Sequence, residues 1–95
     1  MRSYEVMFIA HPELDDTSLN ALVDKAKGWV AAAGGQVTQV DLWGRRRLAY
    51  PIRKQNEGQY ILMQTQMGAS GTRELERNMR LTEQVMRFQV IRTDE

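Results

Sequence analysis

The sequence predicts an α+β fold whose elements follow the order β-α-β-β-α-β. Three observations lead to it: an alternating apolar strand opens the chain, a stretch with helical apolar spacing follows, and a hairpin then leads to a second helix and strand. Two βαβ halves joined by a hairpin form the ferredoxin-like split βαβ fold, a four-stranded antiparallel sheet with two helices on one face. The 95 residues can bury one modest core, so we expect a single domain over residues 1–95.

The first strand is predicted over residues 2–10. Tyr4, Val6 and Phe8 alternate with more polar neighbours, which places them on one face of a strand. Pro12 then ends the strand.

The first helix is the clearest element, and it occupies most of residues 13–35. Asp15 or Asp16 can cap its first turn, where a negative charge suits the helix dipole. A glycine pair at 34–35 ends it. Gly28 lies inside the helix, and we expect close packing on the sheet to explain it. The residues that form one apolar face are Leu19, Leu22, Val23, Ala26, Val30 and Ala33.

The second strand is predicted over residues 36–52. Val37 and Val40 differ in parity, which indicates a bulge between them. Pro51 has no N–H to donate to a neighbouring strand, so this strand is expected at an edge of the sheet. Its apolar even-numbered residues are Leu42, Leu48, Tyr50 and Ile52.

The second half of the chain repeats the strand and helix patterns. The tetrapeptide QNEG at 55–58 is typical of a turn, and a third strand at 59–67 follows it. After a break at GASG (68–71), residues 72–81 form the second helix and 85–91 the last strand.

Strand parity divides the apolar residues between two faces of the sheet. We expect a core beneath the helices that contains Val6, Phe8, Val30, Leu48, Tyr60 and Phe88. The opposite face would show Glu5, Met7, Ile9, Met63, Arg87 and Ile91. This open face lacks the aromatic pattern with which RNA-recognition motifs stack bases. The aromatic residues that have core parity are Tyr4, Phe8, Tyr50, Tyr60 and Phe88.

The charge distribution is uneven although the net charge is only +1. Residues 1–44 carry a net charge of −3, residues 45–54 one of +5 and residues 55–95 one of −1. The chain therefore does not attract a polyanion from all sides, but it presents one local basic patch to it.

The basic stretch GRRRLAYPIRK at 44–54 suggests an RNA-binding surface. Alternation places Arg45 and Arg47 on the face away from the helices. Arg46 has core parity, so it must lie beyond the end of the helix layer or be turned out by a bulge. Guanidinium groups bind phosphate oxygens in a two-pronged geometry. A second explanation fits the same pattern: arginines on an edge strand prevent pairing with other chains.

Two other classes of function are alternatives to RNA binding. An enzyme lacks a visible site, because His11 is the single histidine, Asp15 and Asp16 suit a helix start, and GASG is not a P-loop. The acidic HPEL segment also does not match the anion loop of the small acyl phosphatases that share the fold. A homodimeric ligand-sensing module of the same fold is the other alternative.

The composition excludes several kinds of site. The absence of cysteine excludes disulfides and thiolate metal sites, and no His cluster points to a metal or cofactor. The sequence has no apolar run near the ~20 residues of a membrane helix, and its start does not resemble a signal peptide.

Three segments resemble the bacterial ribosomal protein S6 family of the small subunit. They are MRSYEVMFIAHPEL at 1–14, WGRRRLAYPIRK at 43–54 and EGQYILM at 57–63. The resemblance runs over essentially the whole chain. Some members of the family carry a long tail beyond the point where this sequence ends.

The resemblance implies a cytoplasmic, non-enzymatic ribosomal protein without a cofactor. It implies binding to the central domain of 16S ribosomal RNA together with ribosomal protein S18 as a heterodimer. Residue by residue, Arg2, Arg46 and Arg47 match family positions, and Arg87 fits the same role. Together with the charge cluster, this gives the predicted RNA-binding set Arg2, Arg45, Arg46, Arg47, Lys54 and Arg87. The exposed apolar residues of the open face would be covered in part by the protein partner.

Overall fold

The structure is a computed structural model that describes residues 1–94. Its element order is the predicted β-α-β-β-α-β. The elements are β1 (Arg2–Ala10), α1 (Asp16–Ala32), β2 (Gln36–Ile52), β3 (Gln55–Met67), α2 (Ala69–Arg80) and β4 (Val85–Arg92). Within the described part of the chain, neither helix has the length and apolar character needed to cross a membrane.

The four strands form one antiparallel sheet in the order β2-β3-β1-β4. β2 and β4 are therefore the edge strands, and the position of Pro51 on an edge strand is confirmed. The register of β2 against β3 shifts between Val37 and Gln39, which confirms the predicted bulge. The fold is the predicted ferredoxin-like arrangement.

The main core lies between the sheet and both helices. Val6, Phe8 and Val30 are fully buried there, as predicted, and Phe88 packs against them while partly exposed. The second helix contributes Leu75 and Met79. The two helices therefore cover the same face of the sheet, because both send side chains into this one cluster.

A second, smaller cluster lies on the opposite face of the sheet. Its buried members are Ile9, Leu48 and Met86, and Ile52 and Tyr60 pack against it. Leu48 and Tyr60 were predicted beneath the helices, and this prediction is wrong. Tyr60 lies directly opposite Ile9, and residues paired in this way share a face of the sheet.

The same pairing corrects the predicted position of Met63. It lies opposite Val6, which faces the helices, so Met63 is buried in the main core and not on the open face. Tyr50, assigned core parity from the sequence, is 54% exposed.

The connection between β2 and β3 is shorter than predicted. Ile52 pairs with Gln55, so only Arg53 and Lys54 form the turn, and residues 55–58 belong to β3. Gly58 was interpreted as a turn residue, but it is buried where a β-carbon would collide with Ile9. This glycine is explained by packing and not by turn geometry.

The ends of α1 follow the predicted rules. The carboxylate of Asp15 accepts a hydrogen bond from the backbone N–H of Ser18 at 2.8 Å, and this bond holds the pKa of Asp15 below its ordinary value. Gly34 ends the helix with a φ of +82°. Gly28 is exposed with nothing within 4 Å of a β-carbon built on it, so the expectation of close packing on the sheet is wrong. The second helix begins at Ala69, three residues earlier than predicted, directly after Gly68.

Candidate nucleic-acid interface

The predicted basic stretch lies mostly on the part of the β2–β3 hairpin that extends beyond β1. Pairing of β1 with β3 ends at Ala10 and Gln59, so residues 46–58 have no β1 partner. We call residues 46–58 the hairpin tip. The tip bends towards β4, since Leu48 shares a cluster with Met86 on that strand.

Arg45 stands at the base of the hairpin tip and is partly occupied by the protein itself. Its guanidinium donates a hydrogen bond to the carbonyl oxygen of Pro12 at 2.6 Å. Gln59, which pairs with Arg45 across the strands, donates to the carbonyls of His11 and Leu14 at 3.2 and 3.0 Å. Both side chains thus fix the β1–α1 connection.

The faces predicted for the three arginines are reversed in the structure. Arg46 lies opposite Gly58 and shares the open face with Tyr60, whereas Arg45 and Arg47 point to the other side. The cause is a second register shift, between Leu42 and Gly44, where Gly44 has a φ of +82°. One extra residue in β2 exchanges the two faces for the paired residues Gly44 to Arg47, up to the next register shift.

Arg46 is held against exposed aromatic rings. Its guanidinium carbon lies 5.4 Å from the ring centroid of Trp43. The Trp43 ring in turn stacks on Tyr60 at 6.4 Å with an interplanar angle of 7°. The sequence-based expectation of core parity is therefore wrong for Tyr50 and Tyr60.

Arg47 and Lys54 lie together at an exposed cleft of about 390 Å³ beside the turn. Its other lining residues are Pro12, Gln55, Asn56 and Glu57. The two cations and the two amide side chains can all donate hydrogen bonds to an anion.

Arg87 lies on the open face, with its guanidinium carbon 5.4 Å from the ring centroid of Tyr50 and a hydrogen bond to the Tyr50 hydroxyl. Arg2 is exposed at the opposite end of β1, beside Met67. At ~3.3 Å per residue, the length of β1 separates Arg2 from the hairpin tip by about 26 Å. The structure thus gathers Arg45, Arg46, Arg47 and Lys54 on one hairpin and places Arg87 beside it, but it sets Arg2 apart.

None of these cations forms an ion pair with a carboxylate inside residues 1–94. In that range the single salt bridge joins Arg92 to Asp94 at 3.2 Å. Within residues 1–94 the cations of the hairpin therefore form no ion pair, although Glu57 lies opposite Arg47 and lines the same cleft.

Arg53 is the one cation of residues 45–54 that the predicted RNA-binding set leaves out. Its guanidinium donates to the carbonyl oxygens of Glu83 at 2.7 Å and Val85 at 3.3 Å. No local pattern in the sequence signals this contact, because the partners lie 30 and 32 residues away.

The open face carries fewer exposed apolar residues than predicted. Ile9 is buried beneath Leu48, and Met63 faces the helices. Ile91 is 45% exposed on this face, and Trp43, which stacks on Tyr60, is 42% exposed. Leu42 is 50% exposed on the β2 edge, but it lies opposite Ile61 on the helix side of the sheet. A shallow cavity of about 310 Å³ lies between β1 and β4, lined by Met7, Ile9, Arg87, Phe88 and Gln89.

The family model described as ribosomal protein S6 matches residues 3–92. The chain belongs to the ribosomal protein S6 family. A relative from Caldanaerobacter subterraneus subsp. tengcongensis is 43% identical over 95 residues, which is all of both chains. One from Clostridium novyi is 50% identical over 91 residues and 96% of each chain. Both relatives are named small ribosomal subunit protein bS6.

Solved S6 structures agree with the fold described above. The crystal structure of 30S ribosomal protein S6 from Thermotoga maritima superposes with a TM-score of 0.91 at 32% identity. The match covers 97% of this chain and 87% of that one. The family assignment therefore agrees in sequence and in three-dimensional structure.

Proposed function

We propose that this S6-family chain is a structural, non-enzymatic component of the bacterial small ribosomal subunit in the cytoplasm. In this proposal it acts as one domain that binds the central domain of 16S ribosomal RNA together with ribosomal protein S18. The observation that carries the proposal is the set of exposed cations on the hairpin, which have no carboxylate partner within residues 1–94. Relatives of the same length that are named small ribosomal subunit proteins support it.

The RNA side of the proposal rests on the geometry of the hairpin. Arg46, Arg47 and Lys54 present donors to solvent from both faces of one projecting element. An RNA backbone that runs along this element can be contacted at successive phosphates, because guanidinium and ammonium groups donate strong hydrogen bonds to phosphate oxygens. Arg87 adds a cation next to the hairpin tip, and Arg45 adds its remaining N–H groups at the base.

Arg2 needs a separate place in the proposal. It lies at the far end of β1, so it can contact a different segment of the same folded RNA. Arg2 is too far from Lys54 for both to contact one groove or one short stretch of RNA.

The protein side of the proposal rests on the exposed apolar residues of the open face and the β2 edge. Leu42, Trp43 and Ile91 leave apolar surface in water that a bound protein would cover. A net charge of +1 gives the isolated chain little long-range attraction to RNA. Joining two partial RNA-binding surfaces in a heterodimer raises the affinity of both.

The test compares two double variants in complex with S18. Arg46→Ala with Arg47→Ala should lower the slope of log K against log salt by about two for a 16S central-domain fragment. The matched control is Arg73→Ala with Arg77→Ala, two exposed arginines on α2, which should leave the slope unchanged. Equal slopes for the hairpin variant and the wild type would place the RNA site elsewhere.

A further inference from the structure

The two residues of the hairpin turn adopt a backbone conformation that their side chains disfavour. Arg53 has a φ of +51° and Lys54 a φ of +65°. Two-residue hairpin turns with positive φ at both positions are usually built from Asn-Gly or similar pairs. Local preference therefore does not explain this turn, and contacts elsewhere must hold it.

Arg53 supplies such a contact. Its two terminal nitrogens donate to two carbonyl oxygens on either side of the start of β4, those of Glu83 and Val85. The planar, forked guanidinium can bind both carbonyls at once, which an ammonium group on a flexible stem cannot do in the same geometry. The turn is thereby fastened to an element that is not its strand neighbour, since β3 and β1 lie between β2 and β4.

Lys54 is the next residue along the chain, and its side chain faces solvent instead of β4. It is exposed and lines the cleft with Arg47. Because Arg53 is directed to β4, the adjoining backbone holds Lys54 in one direction relative to Arg47.

We propose that Arg53 is a positioning residue: it fastens the turn to residues 83–85 so that Lys54 and Arg47 are held ready for the phosphates of one RNA strand. This inference rests on the proposed RNA-binding function. It gives the five cations of residues 45–54 different roles, because the proposal has Arg53 directed by its two hydrogen bonds to carbonyls of its own chain and not to RNA.

Two variants separate positioning from direct contact. Arg53→Asn removes the guanidinium but accepts positive φ, and Arg53→Lys keeps the charge but cannot span both carbonyls. The affinity of each variant, in complex with S18, is measured for the 16S central-domain fragment over a range of KCl concentrations. We expect both to bind about three- to tenfold more weakly, because the hairpin must be ordered on binding. The salt slope should equal that of the wild type, since the bound state contacts the same phosphates.

The nuclear magnetic resonance relaxation of backbone amides gives a second readout that does not depend on RNA. Amides of residues 52–55 should become more mobile in both variants, while amides of β1 keep the wild-type order. Unchanged order at 52–55 would overturn the proposal, and so would unchanged affinity in Arg53→Asn. A slope that falls by about one in Arg53→Asn and returns in Arg53→Lys would identify Arg53 as a phosphate contact and also overturn it.

A parallel variant distinguishes failure of this inference from failure of the proposed function. Lys54→Ala should lower the slope by about one if the hairpin binds RNA. If Lys54→Ala has no effect, RNA binding by the hairpin is contradicted and positioning by Arg53 falls with it. If Lys54→Ala lowers the slope while Arg53→Asn binds normally, only the role of Arg53 is wrong.

Discussion

The guanidinium of Arg87 on β4 lies over the ring of Tyr50 on β2, with its central carbon 5.4 Å from the ring centroid. These strands occupy opposite edges of the sheet. Leu48 touches the same region through Met86, and Arg53 binds the carbonyl of Val85. The hairpin tip is therefore packed back onto β4, and tertiary contacts beyond the β2–β3 ladder decide where its cations stand.

Leu48→Ala tests the packing of the hairpin tip. Leu48 is 8% exposed, but its cluster is small, so we expect a loss of about 2 kcal/mol, the lower end for a buried leucine. Leu42→Ala on the same strand is the control, because Leu42 is 50% exposed and should change stability by less than about 0.5 kcal/mol. Urea denaturation measures both. Equal effects of the two substitutions would show that the tip does not pack on β4.

Substituting alanine at two glycines should change stability in opposite directions. Gly44 has a φ of +82°, so Gly44→Ala should destabilise the protein by about 1 kcal/mol although the space around it is open. Gly28 has equally open space and lies in a helix, so Gly28→Ala should stabilise the protein by about 0.5–1 kcal/mol. Thermal unfolding of the two variants checks the signs. A neutral Gly44→Ala would contradict the bulge that reverses the arginine faces.

Asp15 introduces a pH dependence at the start of α1. The hydrogen bond from the Ser18 N–H lowers the pKa of Asp15 below 3.8, so its carboxylate is favoured in the folded state. The stabilisation is fully present above the unfolded pKa and is lost as the pH falls below about 4 through the folded pKa. Asp15→Asn keeps a capping acceptor and should therefore retain helix stability at pH 7 but lose this contribution to acid sensitivity. Urea midpoints at pH 7 and pH 3 give the comparison, and an unchanged difference between the two midpoints would contradict the assignment.

The elements that sequence reasoning described best are those without irregularities. β1 alternates without interruption up to Ile9, and α1 keeps one apolar face, so the residues that they send into the main core follow from periodicity alone. β2 contains three register shifts against β3, and only the first left a parity change in the apolar residues. The second, at Gly44, exchanged the predicted faces of Arg45, Arg46 and Arg47, and its local sign in the sequence is the glycine inside the strand.

The candidate site was predictable as a cluster but not as an arrangement. The five basic residues of 45–54 are visible in the sequence. So many charges without an acid beside them cannot be buried, so their exposure was predictable. The diversion of Arg45 to Pro12 and of Arg53 to Val85 depends on segments that meet only after folding. The stack of Arg46, Trp43 and Tyr60 likewise requires the register of β2 against β3.

The most direct test of the central claim, that the hairpin tip faces RNA, is cross-linking within the assembled small subunit. A photoreactive residue replaces either Lys54 at the tip or Lys25, an exposed residue of α1 that serves as the control. We expect position 54 to cross-link to 16S RNA in high yield and position 25 to do so weakly or not at all. Cross-links from position 54 that reach only protein, with RNA captured from position 25, would contradict the claim.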